Sequence, residues 1–142
     1  LVILGLGVLH DSGLEPELLE LVKIRASQIN GYAFCLDMHT KDARAMSATE
    51  SAHLIPAWRE TEFYTERERA ALAWTEALTE IAGDRVPDEV YADVHPHFTD
   101  DELAYLTLAV VAVNSFNRFN VAAILTKLEV ETRVQLAALT LA

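Results

Sequence analysis

The sequence predicts an all-helical fold, and three observations carry that prediction. Almost every segment repeats apolar residues at helical spacing, and no segment sustains the two-residue alternation of a strand. The chain has only 5 Gly and 4 Pro, too few for the frequent turns of a β-sandwich or barrel. Its 142 residues, 51% of them hydrophobic, make about one domain with a proper core. We therefore expect a single domain over residues 1–142, a bundle of about six to seven helices.

The N-terminal part begins with an apolar stretch, Leu1–His10. This stretch lacks a basic start and a small-residue cleavage site, so we interpret it as the remnant of a helix rather than a signal peptide. Pro16 suits a first helical turn, where its missing N–H costs nothing. The next helix is predicted from Pro16 to about Gln28, ending at Asn30-Gly31, two residues that tolerate the left-handed conformation.

Two further helices are predicted after this turn. One extends from about Tyr32 to Ala45. A shorter one covers roughly Thr49 to Trp58 and is bent or started anew at Pro56, because proline disrupts a helix interior.

A capping box at Thr65–Glu68 predicts the start of the next helix. In such a box the Thr hydroxyl accepts from the Glu amide while the Glu side chain reaches back. We expect this helix to continue through Ala82 and to stop at Gly83. Its predicted buried face consists of Ala70, Leu72, Ala73, Trp74, Ala77 and Ile81.

The C-terminal part contains a second capping box, at Thr99–Glu102. Before it, Pro87 starts a short helix that ends near His95. The box opens a long helix through at least Leu125, apolar nearly all round, so it should be central or at a subunit interface. Residues 127–142 are predicted to form a possible extra helix.

The charge balance excludes several classes of function. The formal net charge is −11, which repels nucleic-acid phosphates and anionic lipid, so we expect no nucleic-acid or membrane partner. The longest uncharged apolar stretch, between Glu102 and Arg118, is shorter than the ~20 residues of a membrane span. A single cysteine, Cys35, fits a reducing compartment, and a cytoplasmic location is expected.

One cluster of residues has the spacing of a reactive thiol site. Cys35 and His39 are four apart in a helical segment, so they share a face. Cys35 lies in the first turns of its helix, where the helix dipole favours a thiolate. His39 can take the thiol proton, and Glu20, on the preceding helix, can orient the His39 ring.

Simpler interpretations of these residues stay open. A lone helical cysteine is often a small buried apolar residue, a histidine at this spacing occurs by chance, and Glu20 can be a solvated helix residue. A metal site is not predicted, because Asp37 lies on a different face and nothing else has ligand spacing.

The segment from Glu20 to Arg44 resembles the alkyl hydroperoxidase D-like / carboxymuconolactone decarboxylase family. That family's pattern is Glu, eleven residues, Cys, two residues, Cys, three residues, His. Here the pattern reads Glu20, eleven residues, Tyr32, two residues, Cys35, three residues, His39. The later stretch TEFYTERERAALAWTEALTEI is also similar, and the resemblance covers about residues 14–119.

The resemblance implies an all-helical protein without cofactors, assembled into trimers or hexamers of interlocked chains. In the family's redox members the Cys near the His attacks a peroxide, and the other Cys resolves the resulting sulfenic acid. Cys35 matches the attacking thiol, whereas Tyr32 stands where the resolving thiol would be.

Three functions follow as hypotheses. The protein is a single-cysteine peroxidase in which Cys35 attacks a hydroperoxide and an external thiol restores it. Alternatively, it is a decarboxylase-like enzyme acting on a lactone acid, with His39 as general acid/base, Glu20 as its partner and Tyr32 shaping the pocket. In the third hypothesis it is a catalytically silent oligomer that binds a small ligand or has a structural role.

Overall fold

The computed structural model describes residues 12–46 and 49–125, so the predictions for residues 1–10 and 127–142 lie outside the described part. Within that part the chain forms seven α-helices and no strand, which confirms the predicted all-helical class. The α-helices are α1 (Pro16–Asn30), α2 (Ala33–Ala45), α3 (Thr49–Leu54), α4 (Glu66–Thr79), α5 (Ile81–Asp84), α6 (Asp88–Val94) and α7 (Asp100–Leu125). Two 3-10 helices, Ile55–Glu60 and His95–His97, follow α3 and α6.

A tight turn at Gly31 folds α1 and α2 into a hairpin. Gly31 has φ 67°, the left-handed region that glycine enters without steric cost. Its N–H donates to the Gln28 carbonyl, and the N–H of Tyr32 donates to the Ser27 carbonyl. The predicted end of the first helix is therefore confirmed, and the turn brings the two predicted site segments side by side.

The break predicted near Pro56 is also confirmed. Helix α3 ends at Leu54, and the chain continues as a 3-10 helix with Pro56 in its first turn. Trp58, in that 3-10 helix, is buried.

Helix α4 begins as predicted but ends early. The Thr65 hydroxyl accepts from the Glu68 amide, and the Glu68 carboxylate accepts from the Thr65 amide, so the capping box is confirmed. The predicted continuation through Ala82 is wrong: α4 ends at Thr79, and Gly83 lies inside the separate turn α5.

The buried face of α4 differs in part from the prediction. Leu72 and Trp74 are buried as expected, whereas Ile81 is half exposed. The backbone at Glu80 leaves helical geometry (φ −99°, ψ 20°), so the face of α4 is not continued into α5. Buried positions that the prediction omitted are Ala71, Thr75 and Thr79.

Helix α1 is the centre of the packing, because α2, α4 and α7 all pack against it. Two apolar clusters result. The larger joins α1 to α4, α6 and α7 and includes Leu18, Val22, Trp74, Val94, Leu106 and Val110. The smaller joins α1 to α2, the 3-10 helix and α4 and includes Leu21, Ile24, Ala43, Ile55, Trp58 and Leu72.

Helix α7 opens at the second predicted capping box and packs with one side only. Thr99 and Glu102 exchange both capping hydrogen bonds. One side of α7 is buried in the larger cluster, while Leu108, Val111 and Phe119 are each at least 40% exposed. Among the described helices, none is both long and apolar enough to cross a bilayer.

Candidate active site

The α1–α2 hairpin brings Glu20 and His39 into direct contact. Glu20 Oε2 lies 2.9 Å from His39 Nδ1, and the two residues are 5% and 9% exposed. A carboxylate at one ring nitrogen holds the imidazole in one orientation. The other ring nitrogen, Nε2, can then accept or donate a proton. The structure therefore brings together two of the four residues that the sequence singled out, and it does so in a buried position.

Lys23 completes the environment of the Glu20 carboxylate. Lys23 Nζ lies 2.7 Å from Glu20 Oε1, one helical turn away on α1. Burial alone would raise the pKa of Glu20, but the hydrogen bond from His39 and the charge of Lys23 outweigh it, and the pKa is lowered. Glu20 is thus held as a carboxylate with both oxygens engaged. Lys23 was missed by the sequence analysis, although its spacing of three residues from Glu20 is a usable signal.

Cys35 lies in the first turn of α2, as predicted, and only 1% of it is exposed. Cys35, His39 and Ala43 form the buried stripe of this helix, which confirms that the thiol and the imidazole share a face. Burial raises the pKa of the Cys35 thiol to about 11. The expectation that the helix N-terminus favours a thiolate is therefore not met in the single chain, because burial disfavours the charged form of the thiol. Within the described residues the thiol makes no hydrogen bond to His39.

Tyr32 is the residue that precedes α2, and it is 9% exposed. Its ring centroid lies 6.2 Å from that of Phe34. Burial, and secondarily the proximity of a charge at Cys35, raise the pKa of the Tyr32 phenol. The tyrosine therefore occupies space close to the thiol instead of projecting into solvent.

One set of side chains at this site has the composition of a metal-ligand group. Ligand atoms of Glu20, His39 and Asp42 all lie within 4.8 Å of one another, and Asp42 Oδ2 is 3.9 Å from His39 Nδ1. However, the Glu20 oxygens already contact His39 and the Lys23 ammonium, whose charge opposes a cation. Asp42 was not among the predicted candidates, although it stands three residues after His39, on a neighbouring part of the same face.

A separate surface depression of about 460 Å³ is lined by Arg59, Arg69, Tyr64 and several acidic side chains. None of the four predicted site residues lines it. The Arg69 guanidinium donates to the carbonyls of Trp58 and Thr61, so this cation stabilises the end of the 3-10 helix.

Comparison with known proteins identifies the family to which this chain belongs. The profile of the carboxymuconolactone decarboxylase family matches residues 1–77, and the chain belongs to that family. It is 47% identical over 104 residues to the uncharacterized protein YdfG of Bacillus subtilis strain 168, covering 72% of this chain and 71% of YdfG. It is 29% identical over 110 residues to the uncharacterized protein YnjA of Escherichia coli strain K12, covering 77% of this chain and 60% of YnjA.

A solved structure shows the same fold. The crystal structure of ATU0492 from Agrobacterium tumefaciens matches with a TM-score of 0.79 and 41% identity, over 85% of this chain and 84% of that one. ATU0492 is a protein of unknown function that has been suggested to be the antioxidant defence protein AhpD. The predicted alkyl hydroperoxidase D-like helical fold is therefore confirmed.

Proposed function

We propose that this protein is a single-cysteine thiol peroxidase, with Cys35 as nucleophile, His39 as proton acceptor and Glu20 as the residue that orients His39. The observation that carries the proposal is the buried 2.9 Å contact between Glu20 and His39, one helical turn from the thiol. A nucleophile, a base and an orienting carboxylate in that order form the usual arrangement for thiol activation. The suggested antioxidant role of ATU0492 agrees with this chemistry.

The reaction begins when His39 takes the proton of the Cys35 thiol. The sulfur then attacks the terminal oxygen of a hydroperoxide, ROOH. An S–O bond forms and the O–O bond breaks. The leaving alkoxide takes the proton from His39, so the products are a Cys35 sulfenic acid and ROH.

An external thiol completes the cycle, because Cys35 is the only cysteine of the chain. The external thiol attacks the sulfenic acid, releasing water and forming a mixed disulfide. A second external thiol breaks that disulfide, returning the Cys35 thiol and carrying away the oxidised reductant. No bound cofactor is required for these steps.

The raised pKa of Cys35 makes the base essential to this proposal. With a thiol pKa of about 11, about one thiol in ten thousand is ionised at pH 7 without help. A base one helical turn from the sulfur, on the same buried face of α2, offsets that disadvantage when it accepts the thiol proton. Glu20 stabilises the imidazolium that forms when His39 accepts the proton.

The test is the second-order rate of Cys35 oxidation by an organic hydroperoxide, measured by stopped flow with an external thiol present for recycling. We expect His39→Ala to lower this rate about 100-fold, in the range typical of a lost general base. His53→Ala, a change at an exposed histidine of α3, should leave it unchanged. A wild-type rate no greater than that of free cysteine would refute the peroxidase proposal.

A decarboxylase-like acid–base reaction is the second candidate. One observation favours it: Glu20 and His39 contact each other directly, without the thiol. Within the described residues the thiol makes no hydrogen bond to His39. In this case His39 moves protons on a lactone acid, and Tyr32 shapes the pocket. Turnover of such a substrate that survives Cys35→Ser and is abolished by His39→Ala would establish this function in place of the first.

We also propose that the chain works as a homo-oligomer, a trimer or a hexamer, in the cytoplasm. The proposal is supported by one stripe of α7 that contains the half-buried Ser115 and five exposed residues, Ala104, Leu108, Val111, Phe119 and Ala122. Its three large apolar side chains are exposed in the single chain, and apolar surface of that kind marks an interaction site. A catalytically silent assembly remains the outcome if neither activity is found.

A further inference from the structure

A buried amide on α7 lacks part of its hydrogen bonding. Asn117 is completely buried, and its Nδ2 donates to Ser27 Oγ at 3.3 Å. Its Oδ1 is buried without a partner in the part of the chain that the structure describes. Buried polar atoms are nearly always paired, since an unpaired one loses its water without compensation. The orphaned oxygen therefore indicates a ligand that residues 12–46 and 49–125 do not supply.

Ser27 adds the complementary half of this site. Ser27 is also completely buried. Its Oγ accepts from Asn117, while its own hydroxyl proton has no acceptor among the described residues. The pair thus presents one free acceptor, Asn117 Oδ1, and one free donor, the Ser27 hydroxyl. A ligand hydroxyl group both donates and accepts, so it can pair with Asn117 Oδ1 and with the Ser27 hydroxyl at the same time. If the Asn117 amide is rotated by 180°, its oxygen and nitrogen exchange places, and a ligand hydroxyl can still pair with both residues.

The position of this pair connects it to the thiol. Ser27 lies seven residues after Glu20, two turns along the same side of α1. The Ser27 carbonyl accepts from the N–H of Tyr32 at 3.1 Å, so Ser27 is level with the start of α2. Cys35 is one helical turn further along α2. The Asn117–Ser27 pair therefore lies at the same end of the hairpin as the thiol.

We infer that Asn117 and Ser27 form a buried subsite for a single hydroxyl group at the same end of the α1–α2 hairpin as Cys35. The hydroxyl belongs either to an ordered water or to the terminal O–H of a hydroperoxide. In the second case the inference rests on the proposed peroxidase function. Asn117 and Ser27 then position the oxygen that is transferred to sulfur, while His39 carries the proton to the leaving alkoxide.

The first test compares two reactions of the same thiol. The rate of Cys35 oxidation by tert-butyl hydroperoxide is divided by its rate of alkylation by iodoacetamide. Alkylation depends on access to the thiol and on its ionisation, but the reagent has no hydroxyl group. Asn117→Leu, which keeps the volume and removes the polar atoms, should lower this ratio about tenfold. The control is Asn120→Leu, because the Asn120 amide donates to a carbonyl of its own helix, and its ratio should stay within twofold.

Ser27→Ala serves as a second variant, because it removes the donor with little change in volume and should lower the ratio in the same direction.

The second test is a high-resolution crystal structure of the resting protein. An ordered water on Asn117 Oδ1 with an unchanged ratio would support the subsite and identify its ligand as water. If wild-type Cys35 does not react with hydroperoxides, the proposed function fails, and the crystal structure alone decides the subsite. An empty Oδ1 with an unchanged ratio, or a donor side chain from a neighbouring copy at that atom, would overturn the inference.

Discussion

His39 Nδ1 lies 2.9 Å from Glu20 Oε2, and both side chains are buried between α1 and α2. This contact joins two residues that are nineteen positions apart in the chain. It depends on the turn at Gly31, which reverses the chain so that the two helices run side by side. The cost of burying the Glu20 carboxylate is offset by its contacts with His39 and Lys23, so the carboxylate stays ionised between the two helices.

Glu20→Gln should change how stability depends on pH. The pKa of Glu20 in the folded protein is lowered from 4.5, so the unfolded state binds more protons as the pH falls below that value. The contribution of Glu20 to stability is present above pH 4.5 and is lost as the pH falls through the lower folded pKa. Urea unfolding between pH 3 and 7 should therefore show a flatter acid limb for Glu20→Gln than for the wild type.

The matched control for this change is Glu17→Gln, at an exposed carboxylate of the same helix. It should keep the wild-type pH dependence. At pH 7 we also expect Glu20→Gln to lower the free energy of unfolding by about 2 kcal/mol, because the buried contacts to His39 and Lys23 are weakened. An acid limb as steep as that of the wild type would contradict the assigned role of the Glu20 charge.

Cys35 should make the protein less stable at alkaline pH. Its thiol pKa is raised from 9.0 to about 11 by burial, so between these values the unfolded state releases a proton that the folded state keeps. The contribution of the Cys35 thiol to the free energy of unfolding is fully present below pH 9. It falls as the pH rises towards 11, by up to about 3 kcal/mol in total. The free energy of unfolding, measured from pH 8 to 11, should fall less steeply for Cys35→Ser than for the wild type.

The comparison with Cys35→Ser is needed because tyrosines ionise in the same range. Burial raises the pKa of Tyr64 to about 12 and also raises that of Tyr32, which adds a slope of the same sign. These tyrosines are present in both proteins, so the difference between the two slopes reports the Cys35 thiol together with its charge effect on Tyr32, which has the same sign. Equal slopes in the two proteins would show that the thiol has an ordinary pKa in solution.

Val111→Glu should weaken the proposed assembly. Val111 is half exposed on the apolar stripe of α7, and a carboxylate there would lose its hydration in a subunit interface. We expect light scattering to show a smaller particle for Val111→Glu at micromolar concentration. Val111→Thr has nearly the same shape and should keep the wild-type mass, and an unchanged mass for Val111→Glu would place the interface elsewhere.

Thr65→Ala should destabilise the start of α4 by about 1 kcal/mol, the usual cost of a lost N-cap side chain. The Thr65 hydroxyl accepts from the Glu68 amide, and the change leaves that amide without its partner. Thr65→Ser keeps the hydroxyl and should retain most of the stability. The measurement is thermal unfolding followed by circular dichroism, and equal midpoints for the Ala and Ser variants would show that the capping box contributes little.

Features that depend on neighbouring residues were predictable from the sequence. The class of fold, both capping boxes and the end of the first helix at Asn30-Gly31 were all predicted correctly, because the signals lie within a few residues of the element they define. The shared face of Cys35 and His39 follows from their spacing in the same way. The extent of α4 was predicted wrongly, because the backbone break at Glu80 carries no comparable local signal.

Features that depend on packing were decided only by the tertiary structure. The approach of Glu20 to His39 was foreseen as an option, but the sequence could not distinguish it from a solvated carboxylate. The protonation of Cys35 was predicted in the wrong direction, because local helix position favours a thiolate whereas burial by other helices disfavours it. The contact of Asn117 with Ser27, ninety positions earlier, has no local signal. The sequence thus determined which residues are candidates for chemistry, and the packing of α1 against α2 and α7 determined their contacts and the directions in which the pKa values of Glu20 and Cys35 shift.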